Sequence, residues 1–299
     1  MKINKILFVI IFILFLVPGY SLAEEVKFVQ MSDVHMTTRP GNAGGRMLSQ
    51  SVQLFEDAVK QINTLDKVNF VIFTGDMINT PDKKLLEKFK SVANKLEPNW
   101  YWTLGNHDVN AAFNKKKFIA EMHQTKSYYS FSINDFVFIC MDGTIDAIPS
   151  AHGEFLPAEL EWLDKELEKN KNKYAVIFQH YPVVEPFHSS SHYVINAKQY
   201  LDVIDRHKNV VAVVSGHYHA ARINKRNNVL HVSSPSLVQY PNAFRVIKMT
   251  TTKEGVKFDF EFKPTKLENI REQSRLQTRS AKLHEGSKAD RNTTLILPK

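Results

Sequence analysis

Residues able to hold metal ions recur along this chain as Asp33-Val34-His35, Gly75-Asp76, Gly105-Asn106-His107-Asp108, a lone His180 and Gly216-His217-Tyr218-His219. The candidate ligands are Asp33, His35, Asp76, Asn106, His180, His217 and His219, a mixed nitrogen and oxygen set without a thiolate. Such a set suits Mn, Fe, Zn or Co, because calcium takes oxygen alone and a structural zinc usually takes Cys. Seven donors are too many for one catalytic ion that must keep positions open, and they fit two ions if one carboxylate bridges. Two ions about 3.5–4 Å apart share a hydroxide nucleophile and clamp the oxygens of a phosphoryl group. A phosphoryl centre is one substrate such a pair of ions can serve.

Residues spread from Asp33 to His219 meet only if regular structure gathers them. Each follows a hydrophobic run: 26–31 leads to Asp33, 70–74 to Asp76, 100–104 to Asn106, 174–179 to His180 and 210–215 to His217. Continuous apolar runs predict strands buried on both faces, and ligands collect at the carboxyl ends of such strands. Further strands are predicted at 127–133, 136–141, 229–233, 244–249 and 256–262. Helical spacing places Leu48, Val52, Phe55, Val59 and Ile62 on one stripe of 47–65, and Leu85, Phe89, Val92 and Leu96 on one stripe of 82–96. A third helix is predicted over 157–169, with Pro157 in its first turn. Strand–helix alternation early and strand pairs later predict an α/β fold, a four-layer αββα sandwich of two mixed β-sheets flanked by helices.

A hydrophobic content of 43% with 23% charged residues excludes a disordered or fibrous chain. One Cys excludes an intrachain disulfide or a Cys-rich zinc module, and Cys140, in an apolar run, reads as a small buried hydrophobe. Lys2 and Lys5, the apolar run 6–17 and Ser21-Leu22-Ala23 predict a signal peptide over 1–23, and with it an exported, periplasmic or secreted protein. The apolar run falls short of the roughly 20 residues that span a bilayer, so no stable membrane anchor is expected if the peptide is cleaved; an uncleaved tether is the alternative. The net charge of +8 becomes about +6 without Lys2 and Lys5 and suits an anionic substrate. Cations interleaved with acids give no sign of specific nucleic-acid binding. A catalytic domain is expected over 24–263. The polar, basic stretch 264–299 reads as a solvated or loosely docked tail, and the oligomeric state stays open.

The ordered set Asp-x-His, Gly-Asp, Gly-Asn-His-Asp, a lone His after a strand and Gly-His-x-His resembles the calcineurin-like metallophosphoesterase superfamily, from Asp33 to His219 and through the closing strands. The resemblance implies two divalent or trivalent ions (Mn, Fe or Zn), one held by Asp33, His35 and His219, the other by Asn106, His180 and His217. Asp76 would bridge them. It further implies that His107 is a catalytic non-ligand facing the substrate, oriented by Asp108. His152-Gly153-Glu154-Phe155-Leu156, with Leu160-Glu161-Trp162-Leu163, and Ser233-Ser234-Pro235-Ser236 are similar to stretches of class III cyclic-nucleotide phosphodiesterases. Cyclic nucleotides or other small phosphodiesters are then the expected substrates. A phosphomonoesterase, a glycerophospho- or phospholipid-head-group diesterase and a non-catalytic scaffold are the alternatives. Asn79 stands where a purple acid phosphatase carries a metal-bound Tyr, so no tyrosinate site is expected. His152, His188 and His192 fall in loops that border the crevice, with substrate contact undecided, whereas His123, His207, His231 and His284 read as surface or structural residues.

Overall fold

The computed structural model describes residues 23–145 and 150–298, so the predicted signal peptide, apart from Ala23, lies outside the described residues. In chain order the strands are β1 (Glu25–Met31), β2 (Phe70–Thr74), β3 (Asn99–Thr103), β4 (Tyr129–Ile133), β5 (Phe136–Cys140), β6 (Tyr174–Phe178), β7 (Val210–Ser215), β8 (Arg222–Arg226), β9 (Val229–Ser233), β10 (Ala243–Thr251), β11 (Gly255–Pro264) and β12 (Thr293–Pro298). The helices are α1 (Ser51–Ile62), α2 (Lys83–Ala93), α3 (Lys115–Glu121), α4 (Pro157–Lys169), α5 (Ala197–Ile204), α6 (Glu268–Gln277), α7 (Ala281–Glu285) and α8 (Lys288–Arg291).

Two mixed sheets result, ordered β12-β11-β10-β1-β2-β3 and β4-β5-β6-β7-β9-β8. The parallel strands β1, β2 and β3 of the first sheet and β5, β6, β7 and β9 of the second send their carboxyl ends to one side. The apolar runs stay continuous because these strands are covered twice. Phe28 and Phe70 face inward and meet Phe138 and Phe178 across the sandwich, with ring centroids 4.9–6.1 Å apart. The opposite face of the first sheet, with Val29, Met31, Val71 and Phe73, packs on Leu54, Phe55, Ile62, Leu86 and Phe89 of α1 and α2. The outer face of the second sheet packs on Leu160, Leu163 and Leu167 of α4 and Tyr200 and Val203 of α5. Helix, sheet, sheet, helix is the predicted four-layer αββα architecture.

Asp82 caps α2, its carboxylate accepting the Leu85 amide at 2.9 Å. Helix α1 begins at Ser51, later than the apolar stripe suggests, because Leu48–Gln50 form a tighter 3₁₀ turn. Strands β8 and β12 were not predicted. Both are edge strands with one covered face, so their sequences carry polar residues where the interior strands carry aliphatic ones. Beyond residue 263 the described chain is not a loosely docked tail. β12 pairs along β11 from Gly255↔Pro298 to Phe260↔Thr293, and Leu297 is buried in the core between the sheets. A few well-placed apolar residues dock this polar segment, and composition averages them away. No helix among the described residues is long and apolar enough to cross a membrane.

Candidate metal centre

Where β1, β2, β3, β6 and β7 end, the backbone must turn at once and aim polar side chains into the cleft between the sheets. Asp33, His35, Asp76, His217 and His219 all take positive φ, between 43° and 70°. Non-glycine residues rarely hold this left-handed conformation, which costs about 1–2 kcal/mol each, so surrounding bonds must enforce it. The Asp33 amide donates to Gly75 O (3.1 Å) and the His35 amide to Asp76 O (2.9 Å), tying the turn after β1 to the turn after β2. The His217 amide donates to Asp33 Oδ2 (3.1 Å), which reaches across to the second sheet. Gly105 has no Cβ for a concrete reason: one would stand 2.2 Å from Asp76 Oδ1.

The side chains converge. Asp76 Oδ2 lies 3.4 Å from His35 Nε2 and 3.4 Å from His180 Nε2, midway between two imidazoles. On one flank His35 Nε2 approaches His219 Nε2 at 3.3 Å, and His219 Nε2 lies 3.2 Å from Asp33 Oδ1. On the other flank His217 Nδ1 approaches His180 Nε2 at 3.1 Å. Three of the four imidazoles spend their remaining nitrogen on an outer acceptor. His180 Nδ1 donates to Thr74 O (2.8 Å), His217 Nε2 to Ala151 O (2.7 Å) and His219 Nδ1 to Gln239 Oε1. Those bonds occupy the outer nitrogens and turn the inward nitrogens toward each other, the arrangement of metal-ligating His. Asp33 Oδ1 and Asn106 Oδ1 are buried acceptors without a hydrogen-bond partner. Asp33, His35 and His219 form one group of mutually close donors and Asp76, His180 and His217 another, so the donor set fits a metal centre with two positions.

Electrostatics agree. Burial holds the His35 and His217 imidazoles well below their ordinary pKa, so both are neutral and free to ligate. Burial works against charge on Asp76, yet the facing imidazoles, His180 first, outweigh it and keep the carboxyl well below its usual range. Burial also opposes a proton on His180, and Asp76 again prevails, pushing it up to about 9. A cation between these two groups would satisfy the same charge balance.

His107 lies at the cavity wall, its amide donating to Asp76 Oδ1 (2.8 Å) and its Nδ1 to Asn79 O (2.9 Å). Its ring also comes close enough to His35 and Asp76 to form a third donor group with them. The expected partnership with Asp108 does not form. The Asp108 carboxyl instead accepts the amides of Gly105 (2.9 Å) and Ile78 (3.1 Å), bracing two turns, and burial with the nearby Asp76 charge pushes it up to about 8. The backbone carbonyl of Asn79 takes the orienting role, which no side-chain motif could announce.

A cavity of about 520 Å³ opens over these groups. His192 lines it, with its ring 4.9 Å from that of His217, whereas His152 stacks on Tyr193 (4.3 Å) and His188 is exposed beside Glu185. His284 is a satisfied structural residue, its Nδ1 donating to His219 O (3.0 Å), and it also lines the cavity. Gln239 completes the surroundings together with Arg46, Phe187 and Arg279, three residues that were not singled out from sequence because no motif places them.

The family model described as calcineurin-like phosphoesterase matches residues 26–221. A 3′,5′-cyclic-nucleotide phosphodiesterase of Nostoc sp. is 24% identical over 268 residues, covering 80% of this chain and 96% of that relative. A protein of Arcobacter nitrofigilis named a probable glycerophosphodiester phosphodiesterase is 28% identical over 220 residues, covering 70% and 78%. Among solved structures, a dimetal phosphatase from Danio rerio superposes with a TM-score of 0.65 at 16% identity, over 80% of this chain and 96% of that one.

Proposed function

The chain belongs to the calcineurin-like phosphoesterase family, and from that premise we propose that it is an exported phosphodiesterase acting on cyclic nucleotides or other small phosphodiesters. The observation that carries the reading is the convergence of imidazole nitrogens on either side of Asp76 Oδ2. In this reading Asp33, His35 and His219 would hold one ion and Asn106, His180 and His217 the other, with Asp76 available to both. Mn, Fe or Zn fits the donor set. When bound, the two ions supply positive charge for the phosphoryl oxygens and acidify water at neutral pH.

The remaining work falls to the protein. His107, held through Nδ1 by Asn79 O, presents Nε2 to the cavity, where it donates a proton to the departing alkoxide or a hydrogen bond to the phosphoryl oxygen. The Gln239, Thr74 and Ala151 acceptors keep three ligand imidazoles turned inward. Phe187 and Leu283 offer apolar surface to the organic part of the ester. Names of the relatives support diesters of both the cyclic-nucleotide and glycerophospho kinds.

The test is hydrolysis by the protein from Glu24 onward, stripped with chelator and reloaded with Mn, Zn or Fe. Substrates are bis(p-nitrophenyl) phosphate, cyclic AMP, glycerophosphodiesters and p-nitrophenyl phosphate. Metal-dependent turnover of diesters above the monoester is expected. A faster monoester rate, or turnover untouched by chelator, would overturn the reading.

A further inference from the structure

The segment after α6 is fastened at two points around the cavity mouth. At one end Thr278 lies against the backbone of Gly45, so closely that a Cβ there would stand 2.7 Å from Thr278 Cα, and Ser274 Oγ donates to Gly45 O (2.6 Å). At the other end His284 Nδ1 donates to His219 O (3.0 Å) and the Ala221 amide donates to His284 O (2.9 Å). Arg279 to Leu283 bridge the two anchors, and Arg279, Ser280, Leu283 and His284 line the cavity. Ser280 takes a left-handed φ of 57°, a conformation that a non-glycine residue holds only where its surroundings impose it.

The Gly45 contact also decides what stands beside Arg279. Gly45 touches Thr278, and the residues that follow each, Arg46 and Arg279, both line the cavity. Arg46 is itself fixed by pairing with Gln239, the residue that orients His219. Its charge reaches His35, where it disfavours a proton. Neither guanidinium has a hydrogen-bond or ion-pair partner among the described residues. Asp76, already engaged by three imidazoles, is the only carboxylate among the residues described as lining the cavity. Several surface arginines are matched by carboxylates, as Arg226 is by Asp205 and Arg275 by Glu272, whereas Arg39, away from the cavity, is not matched among the described residues. Two unmatched cations beside a centre built for positive ions repel it and each other, and an anionic ligand relieves both.

We infer that Arg46 and Arg279 form an oxyanion subsite that takes a second anionic group, phosphate or carboxylate, carried on the organic part of the scissile phosphodiester. The inference rests on the phosphodiesterase reading and narrows it: a diester with a second negative group is preferred over one with a single charge. Arg46 and Arg279 act as specificity-determining residues, outside the chemistry at phosphorus.

Two matched pairs test it: a dinucleotide with and without a 5′-phosphate, and glycerophosphoserine against glycerophosphoethanolamine. Cleavage of the diester bond is followed by chromatography in the Mn-loaded protein and in Arg279→Gln, Arg279→Lys and Arg46→Gln. The wild type should favour the doubly anionic member of at least one pair about tenfold in kcat/KM, as expected for a charge-assisted contact. Preference in the dinucleotide pair identifies phosphate, and in the glycerol pair carboxylate. Arg279→Gln should erase the preference through KM with little change in kcat, and Arg279→Lys should keep part of it. No preference in either pair, or a preference that survives in Arg279→Gln combined with Arg46→Gln, overturns the subsite. Failure of the wild type on bis(p-nitrophenyl) phosphate would instead count against the phosphodiesterase reading itself.

Discussion

At the scale of single residues, the centre depends on small spaces and single hydrogen bonds. Gly105→Ala adds a methyl group 2.2 Å from Asp76 Oδ1 and 2.4 Å from the Asp76 amide, and neither the carboxylate nor the backbone can yield without losing its place. Turnover and metal content should fall together, measured by assay and elemental analysis on one preparation. His107→Ala should separate the two. Loss of a positioned acid lowers kcat about 10²–10⁴-fold, with metal content retained. Loss of one metal equivalent would make His107 a ligand, as its closeness to His35 and Asp76 allows. The ligand types were legible because each sits in a short motif at the end of an apolar run. The carbonyls of Asn79, Thr74 and Ala151 were not, since any residue type supplies a backbone acceptor.

At the scale of elements, strand identity followed from covering. Val210–Ser215 and Phe70–Thr74 are buried throughout and were read to the residue, while β8 and β12 escaped because an edge strand needs only half an apolar pattern. Leu297 anchors β12 in the core between the sheets, so Leu297→Ala should cost about 2–5 kcal/mol, read as a lower urea midpoint. In β9, next to β8, His231 is buried with Nε2 unpartnered, and burial, helped by Arg226, lowers its pKa from 6.5 to about 4. Between those values the unfolded chain binds a proton that the folded chain refuses. Stability from this residue is complete above the unfolded value and is lost as pH falls toward the folded one, on the order of 3 kcal/mol in all. Urea midpoints at about pH 7.5 and pH 5 should diverge more in the wild type than in His231→Gln. Parallel slopes would remove His231 from the acid sensitivity.

At the scale of the whole molecule, the centre joins two sheets that share no strand, with Asp33, His35, Asp76 and Asn106 following the first and His180, His217 and His219 the second. Ions held there bind the folded state alone, so chelation should lower Tm and Mn should restore it in a concentration-dependent way, by about 2.7 kcal/mol at a hundredfold excess over Kd. Export is tested by fractionating expressing cells and sequencing the mature N-terminus, expected at Glu24. Fold class was open to sequence reasoning because it depends on periodicity along the chain. The wall from Arg279 to His284 was not, because it depends on where a distant segment returns. That return has a price in time. Strand β1 lies between β2 and β10, and its pairing from Glu25↔Thr250 to Gln30↔Arg245 waits for almost the entire chain. Loops of such length close slowly, and the contacts they close form late. A chain emerging from its N-terminus therefore carries an open edge on β1 until β10 arrives. The long interval is an opening for chaperones and for any metal that reaches the turns too early.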